Sequence, residues 1–175
     1  MSKQPFVSDI KALRERARRH IEQGYQADRE TVIKICNEAL ASEILCVLRY
    51  ERRYFMAQGI NADSVAAEFA QHAAEEQGHA DRIAQRIVQL GGEPNLSPEG
   101  LSGRSHSEYV EGDTLIDMIQ EDLIAERIAI DSYKEIIGYL GDKDSTTRRM
   151  FEEILAVEEE HADDLVSLLG GMPKR

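Results

Sequence analysis

Two short motifs in the sequence place a glutamate three residues before a histidine: Glu76 with His79, and Glu158 with His161. In a helix, residues three positions apart lie on one face about one turn from each other, so both side chains of a motif can bind the same metal ion. One such motif has little weight, because a glutamate-rich chain with 5 histidines can form it by chance. Two of them, in corresponding halves of the chain, indicate a metal site.

Two further glutamates, Glu43 and Glu126, interrupt apolar stripes at helical spacing. Each precedes an E-x-x-H motif by 33 or 32 residues, so both halves of the chain carry the same pattern. Four buried carboxylates would cost several kcal/mol each without compensation, whereas two divalent cations would neutralise them. One glutamate from each of two helices and an E-x-x-H motif from each of two others is the di-iron carboxylate pattern. It predicts six metal ligands: Glu43, Glu76, His79, Glu126, Glu158 and His161.

The rest of the chain predicts an all-α fold whose long helices position these residues. Apolar residues recur three or four positions apart in the segments 28–58, 63–90, 113–140 and 145–170. The 4 prolines all lie outside these segments, where they interrupt no helix. A shorter amphipathic helix is predicted for residues 8–23. Each predicted ligand lies near the middle of its long helix.

The connections between these helices predict the topology. The links 59–62 and 141–144 are short, which makes the helices that they join antiparallel neighbours. The link 91–112 has 22 residues, enough to return the chain to the other end of the bundle, so the second and third long helices should be parallel. We therefore predict a four-helix bundle of two antiparallel hairpins joined by a long crossover, over residues 28–171, after an N-terminal extension, residues 1–27.

Composition excludes several classes of protein. The chain has 21 Lys and Arg against 33 Asp and Glu, a formal net charge of −12, which repels nucleic acid and anionic membranes and attracts cations. No apolar run reaches the roughly 20 residues that cross a bilayer, and the N-terminus lacks the apolar region of a secretory signal. We therefore expect a cytoplasmic protein. Cys36 and Cys46 lie too far apart on one predicted helix for a disulfide, and we interpret them as small buried apolar groups.

Several residues near the predicted ligands have more than one interpretation. Tyr50 and Tyr133 each follow a ligand glutamate by seven residues, on the same helical face. Tyr50 is either a candidate catalytic residue beside the metals or a core residue, while Tyr133 is expected to be a core residue. Asp122 either orients a ligand histidine or lies at the surface. The remaining acidic and imidazole groups near the motifs are expected to be solvated: Glu75, Glu159, Glu160, His20, His72 and His106.

Four segments, LASEILCVLRYE, EEQGHADRI, EDLIAERIAIDSY and EEEHADDL, resemble the ferritin-like superfamily, most closely bacterioferritins and Dps-like relatives that retain a bacterioferritin-type centre. The resemblance covers about residues 28–170. It implies that the six ligands bind two iron ions, that Glu76 and Glu158 bridge them, and that Tyr50 is the tyrosine kept beside the site. It also implies a ferroxidase, which oxidises Fe²⁺ with O₂ or peroxide for iron storage or detoxification. Manganese or zinc also suit such oxygen and nitrogen ligands.

Two departures from the bacterioferritin pattern refine this expectation. Gln77 stands where bacterioferritins have the methionine that binds haem between subunits, so haem is not expected. A fifth helix, which lines channels in many 24-subunit ferritins, does not follow the fourth long segment. This favours a homo-oligomer of twelve chains over one of twenty-four or two.

Three alternative functions stay open from the sequence alone. A rubrerythrin-like peroxide reductase would need an electron donor, and the chain has no CxxC motif of a rubredoxin module. A hydroxylase would need a large substrate pocket, for which the chain is short. A Dps-like DNA-protecting protein would use the locally basic first helix, although we favour packing of that helix on the bundle or on a neighbouring subunit. The basic residues are Lys11, Arg14, Arg16, Arg18 and Arg19.

Overall fold

The computed structural model describes residues 9–25, 27–59 and 62–172. Within these ranges the chain forms helices and no strand, which confirms the predicted all-α class. The four long helices differ from their predicted bounds by at most two residues. The predicted helix start at residue 8 and residues 60–61 of the first short link lie outside the described ranges. The helices are α1 (Ile10–Gln23), α2 (Arg29–Met56), α3 (Ala62–Gln89), α4 (Leu101–Arg104), α5 (Leu115–Leu140) and α6 (Ser145–Gly171).

Three of the long helices, α2, α5 and α6, begin after residues whose side chains cap them. Before α6, the Asp144 carboxylate accepts a hydrogen bond from the backbone N–H of Thr147. Before α5, the side chains of Thr114 and Asp117 each accept from the other's backbone N–H, which is a capping box. The N-cap of α5 is therefore Thr114, one residue after the predicted start of this segment at residue 113.

Contacts across the bundle define the helix directions. Glu43 of α2 contacts Tyr133 of α5, and Arg49, further along α2, contacts Asp122, which is earlier in α5. Moving forward along α2 therefore means moving backward along α5. Glu43 also lies beside His79, and Tyr50 beside Phe69, so α3 is antiparallel to α2 as well. It follows that α3 and α5 are parallel, as the long link predicted.

The crossover between α3 and α5 is fastened to α2 by two buried arginines. Arg53 donates hydrogen bonds to the backbone carbonyls of Val110 and Glu111, and Arg49 donates to that of Glu108. Arg53 is completely buried, whereas the adjacent Tyr54 is 44 % exposed.

The apolar core is divided into two clusters by polar residues in the middle of the bundle. One cluster includes Cys36, Ile83 and Phe151, and the other includes Cys46 and Ile119. Both cysteines are buried and free, as predicted. On every long helix, the predicted metal ligands lie between the residues of the two clusters.

Helix α1 stands apart from this core. All side chains over residues 9–19 are exposed, so α1 does not pack on its own bundle there, and that half of our expectation is wrong. Packing on a neighbouring subunit stays a prediction, as does the division of the chain at residue 28. Among the described helices, none combines the length and apolar character needed to cross a membrane.

Candidate metal centre

The structure brings all six predicted ligands together between the two apolar clusters. Each long helix contributes at least one of them, because each helix carries its polar residues at the same height in the bundle. None of the six is more than 5 % exposed. The residues are Glu43 of α2, Glu76 and His79 of α3, Glu126 of α5, and Glu158 and His161 of α6.

The donor atoms form two overlapping groups of four residues. The first group contains Glu43 and His79, and the second contains Glu126 and His161. Within each group, the ligand atoms all lie within 4.8 Å of one another. This is the arrangement expected for two adjacent metal ions that share two carboxylates. Two residues belong to both groups: Glu76 and Glu158.

Distances within the two groups fit ligands of one ion. The Nδ1 atom of His79 lies 3.4 Å from a Glu43 oxygen, 3.5 Å from Glu76 and 3.1 Å from Glu158. The Nδ1 atom of His161 lies 3.5 Å from Glu76 and 3.4 Å from Glu158. Two ligands bound at about 2.1 Å to one ion, at roughly tetrahedral or octahedral angles, are about 3.0–3.5 Å apart.

Several atoms at this site are buried and make no hydrogen bond within the described residues. Buried polar groups are normally paired, because an unpaired one loses its hydration without compensation. Since all of these atoms are oxygen or nitrogen donors that face one another, a pair of cations would satisfy them together. The atoms are Glu43 Oε2, Glu76 Oε1, Glu126 Oε2, both Glu158 carboxylate oxygens, and Nδ1 of His79 and His161.

Burial and the neighbouring carboxylates disfavour the charged forms of Glu43 and Glu126. Burial raises the pKa of Glu43, and the nearby Glu76 and Glu158 carboxylates raise it further. Burial also raises the pKa of Glu126, with Glu158 as the next cause. For His79, burial acts to lower the pKa, but the Glu158 and Glu76 carboxylates outweigh it and raise the pKa to about 9. A metal ion that binds here therefore displaces protons.

Two tyrosines donate hydrogen bonds to Glu43 and Glu126, the glutamates that each belong to only one of the two donor groups. The Tyr50 hydroxyl donates a hydrogen bond to Glu126 at 2.5 Å, and the Tyr133 hydroxyl donates to Glu43. Tyr133 is buried as expected, but its partner is a predicted ligand. The two tyrosines are therefore equivalent in position, and their shared spacing of seven residues after Glu43 and Glu126 was the signal for this.

Glu75 also takes part in the site, although we expected it to be solvated. Its carboxylate lies 2.8 Å from Nε2 of His161, the ring nitrogen that faces away from the ligand carboxylates. Such a contact fixes the orientation of a ligand imidazole. The other two flanking acidic residues, Glu159 and Glu160, are exposed as predicted.

Asp122 fits neither of its two predicted roles. It is completely buried and forms ion pairs with Arg49, at 2.9 Å, and with Arg53. It contacts no ligand histidine, so it acts in the structure as the counter-ion of two buried arginines. The spacing along α5 could not show this, because both partners belong to another helix.

His72 is buried, whereas we expected it at the surface. Its ring stacks on that of His161, with 4.0 Å between the ring centroids. The signal in the sequence was its position four residues before Glu76, which places it on the ligand face of α3. His106 is exposed as expected, and the side chain of His20 lies outside the described residues.

The fold agrees with the comparisons with known proteins. The family model of the ferritin-like domain matches residues 33–174. A bacterioferritin of Mycolicibacterium paratuberculosis is 34 % identical in an alignment 154 residues long that covers 85 % of this chain and 89 % of that protein. A bacterioferritin of Desulfovibrio desulfuricans is 29 % identical over 140 residues, which are 79 % of this chain and 74 % of the relative.

Solved structures show the same fold. The chain is similar to a dodecameric thioferritin, the bacterioferritin-related protein of Bacteroides fragilis, with a TM-score of 0.80 and 33 % identity. That match covers 83 % of this chain and 88 % of the other. A Dps protein of Bacillus brevis, 20 % identical, shares the fold with a TM-score of 0.76 over 81 % of this chain and 96 % of its own. The chain, with its buried carboxylate and histidine cluster, belongs to the ferritin-like family.

Proposed function

We propose that this protein oxidises Fe²⁺ at a dinuclear centre, a ferroxidase reaction that serves iron storage or detoxification. The observation that carries the proposal is the buried cluster of six donors, arranged as two groups that share Glu76 and Glu158. Membership in the ferritin-like family and the bacterioferritin relatives support iron as the metal. The donors alone also suit manganese or zinc.

Each residue of the cluster has a defined task in this proposal. Glu43 and His79 would hold one ion, Glu126 and His161 would hold the other, and the two glutamates common to both groups would bind to both ions. The four carboxylates balance the charge of two divalent cations. Fe²⁺ is the substrate: with both positions filled, the two ions would together supply two electrons, which with two protons would reduce dioxygen to hydrogen peroxide or hydrogen peroxide to water, at coordination positions that the protein leaves open.

The surrounding residues keep the donors in place. Tyr50 and Tyr133 fix one oxygen of Glu126 and of Glu43, so each of these glutamates offers its other oxygen to a metal. Glu75 fixes the ring of His161. The apolar clusters above and below exclude water and strengthen every charge interaction between them.

We further propose a haem-free dodecamer. The similarity to the dodecameric thioferritin supports this assembly, and exposed apolar side chains on α2, including Phe55, offer surface for contact between chains. Gln77 is exposed and donates a hydrogen bond to Asp81. Its amide side chain has no thioether sulfur with which to bind a haem iron. A cytoplasmic location stays a prediction.

A second candidate function rests on α1, whose basic residues are all exposed. An exposed basic helix can contact phosphates, and it would give a Dps-like protein a means of binding DNA despite its acidic bundle. A gel shift at several salt concentrations tests this. Absence of binding at low salt would exclude it.

Anaerobic titration with Fe²⁺, followed by O₂, tests the main proposal, with the native mass measured on the same sample. We expect saturation at two iron ions per chain, rapid oxidation, and a mass of twelve chains. The double variant Glu76→Ala/His79→Ala should lose both binding and oxidation, whereas Glu160→Ala, an exposed control on α6, should keep them. Normal oxidation by the double variant would refute the site.

A further inference from the structure

A third group of metal donors lies outside the dinuclear centre. Glu68 and His72 are one turn apart on α3, and Asp164 projects from α6. Their donor atoms lie within 4.8 Å of one another. None of these three residues is one of the six predicted ligands of the dinuclear centre, so the two sets of donors share no residue.

His72 is the observation that distinguishes this group from an ordinary acidic patch. Its side chain is 0 % exposed, and neither ring nitrogen makes a hydrogen bond within the described residues. Its Nε2 atom lies 3.4 Å from a Glu68 oxygen and 3.6 Å from an Asp164 oxygen. These separations are long for hydrogen bonds, but they are close to the 3.0–3.5 Å or so between two ligands of one ion.

The charges of Glu68 and Asp164 also favour a bound cation. The two carboxylates face each other: burial raises the pKa of Glu68, and the charge of Asp164 raises it further. A divalent cation between them would neutralise both. The Glu68 side chain is 28 % exposed and that of Asp164 is 49 % exposed, so an ion can enter from solvent while His72 closes the inner side.

We propose that Glu68, His72 and Asp164 form a third metal site, which binds a single divalent first-row ion such as Zn²⁺, Mn²⁺ or Fe²⁺. One nitrogen and two carboxylate donors suit these ions, and the remaining coordination positions face water. The site is adjacent to the dinuclear centre, because the His72 ring stacks on the ring of His161. It goes beyond the proposed ferroxidase centre and does not depend on it.

Zn²⁺ is the probe for the test, because it is redox-inert and can be located by anomalous diffraction at its absorption edge. Crystals of the protein grown with saturating Zn²⁺ should show three ions per chain. The variant Glu68→Gln/Asp164→Asn should lose only the third ion. In solution, equilibrium dialysis should show that the Zn²⁺ affinity of the third site falls at least about tenfold.

Two further variants complete the test. One is a control for charge, and the other removes only the histidine donor. Asp163→Asn removes one negative charge at an exposed position beside Asp164 and should keep three ions. His72→Phe keeps an aromatic ring against His161 but removes the donor nitrogen, and it should lose the third ion.

The inference would be overturned by a wild-type crystal with only two ions, both at the dinuclear centre. It would also be overturned if the third ion persisted in Glu68→Gln/Asp164→Asn. Neither result touches the ferroxidase proposal. Conversely, Zn²⁺ at the third site with none at the dinuclear centre would contradict the ferroxidase site and leave the present inference standing.

Discussion

Two groups of buried charges lie close together in this bundle, and they differ in how they are balanced. Arg49 and Arg53 are paired with Asp122 and with backbone carbonyls of the crossover, so the protein itself supplies their partners. Four of the six donor residues of the candidate metal centre are glutamates, and no arginine or lysine belongs to the cluster. Many of the donor atoms lack a hydrogen bond within the described residues. A charge that is paired from within serves the fold, whereas a charge left without a partner indicates a ligand from outside.

The largest change in stability is expected for a substitution at Asp122. The variant Asp122→Asn leaves two buried guanidinium groups without their counter-ion, and we expect it to lower the free energy of unfolding by about 3–5 kcal/mol. Urea denaturation at fixed protein concentration measures this. Asp131→Asn, an exposed position of the same helix, should change stability little. A Zn²⁺ stoichiometry at the dinuclear centre equal to wild type would complete the contrast.

At Glu158 we expect the opposite: a large effect on Fe²⁺ oxidation and a small effect on stability. The variant Glu158→Gln removes a carboxylate shared by both donor groups, so we expect Fe²⁺ oxidation to fall at least about 100-fold. The metal-free variant should lose little stability, because the amide keeps the shape of the side chain and removes one acidic group from a cluster of four. Stopped-flow oxidation and metal-free denaturation measure the two effects. A strong loss of metal-free stability would contradict our division between the two groups.

Asp144 provides a third, intermediate case at the start of α6. It caps the helix and pairs with Arg86 and Tyr25, and hydrogen bonds from Thr147 help to hold its pKa at about 2 against the effect of burial. A carboxylate with a lowered pKa stabilises the fold fully above its ordinary pKa of 3.8, and this stabilisation, about 2 kcal/mol, is lost as the pH falls toward 2.

We therefore expect Asp144→Asn to be less stable than wild type by about 2 kcal/mol at pH 7, with a smaller loss of stability between pH 4 and pH 2. Denaturation curves across this pH range test it. The fully exposed Asp142 of the same loop is the control, and Asp142→Asn should retain the wild-type pH dependence. An equal pH dependence in wild type and Asp144→Asn would show that another group is responsible.

The smallest effects are expected at the two tyrosines. Tyr50→Phe and Tyr133→Phe each remove one hydrogen bond to a ligand glutamate, and we expect the metal affinity to fall about tenfold in each variant. Similar losses in both would support their equivalent positions. A loss of oxidation rate in Tyr50→Phe alone, with unchanged affinity, would instead indicate a catalytic role for Tyr50.

The sequence predicted those parts of the structure that depend on spacing along one helix. The E-x-x-H motifs, Glu43 and Glu126 were found because helical periodicity places them on buried faces, and the bundle topology followed from link lengths. The partners of Asp122 and Glu75 were missed because they lie on other helices, and which residues meet there depends on the rotation and height of each helix. Periodicity along one chain segment does not encode these quantities.

The sharing of Glu76 and Glu158 has a consequence for how such a centre can be assembled. Each antiparallel hairpin provides three donors to one group and lends its bridging glutamate to the other, so neither hairpin holds a complete set. Two identical hairpins related by a twofold axis would build the same centre by exchanging one residue each. In this chain the two hairpins are joined in tandem, and the loss of Glu76 or Glu158 from either one would remove a ligand from both ion positions.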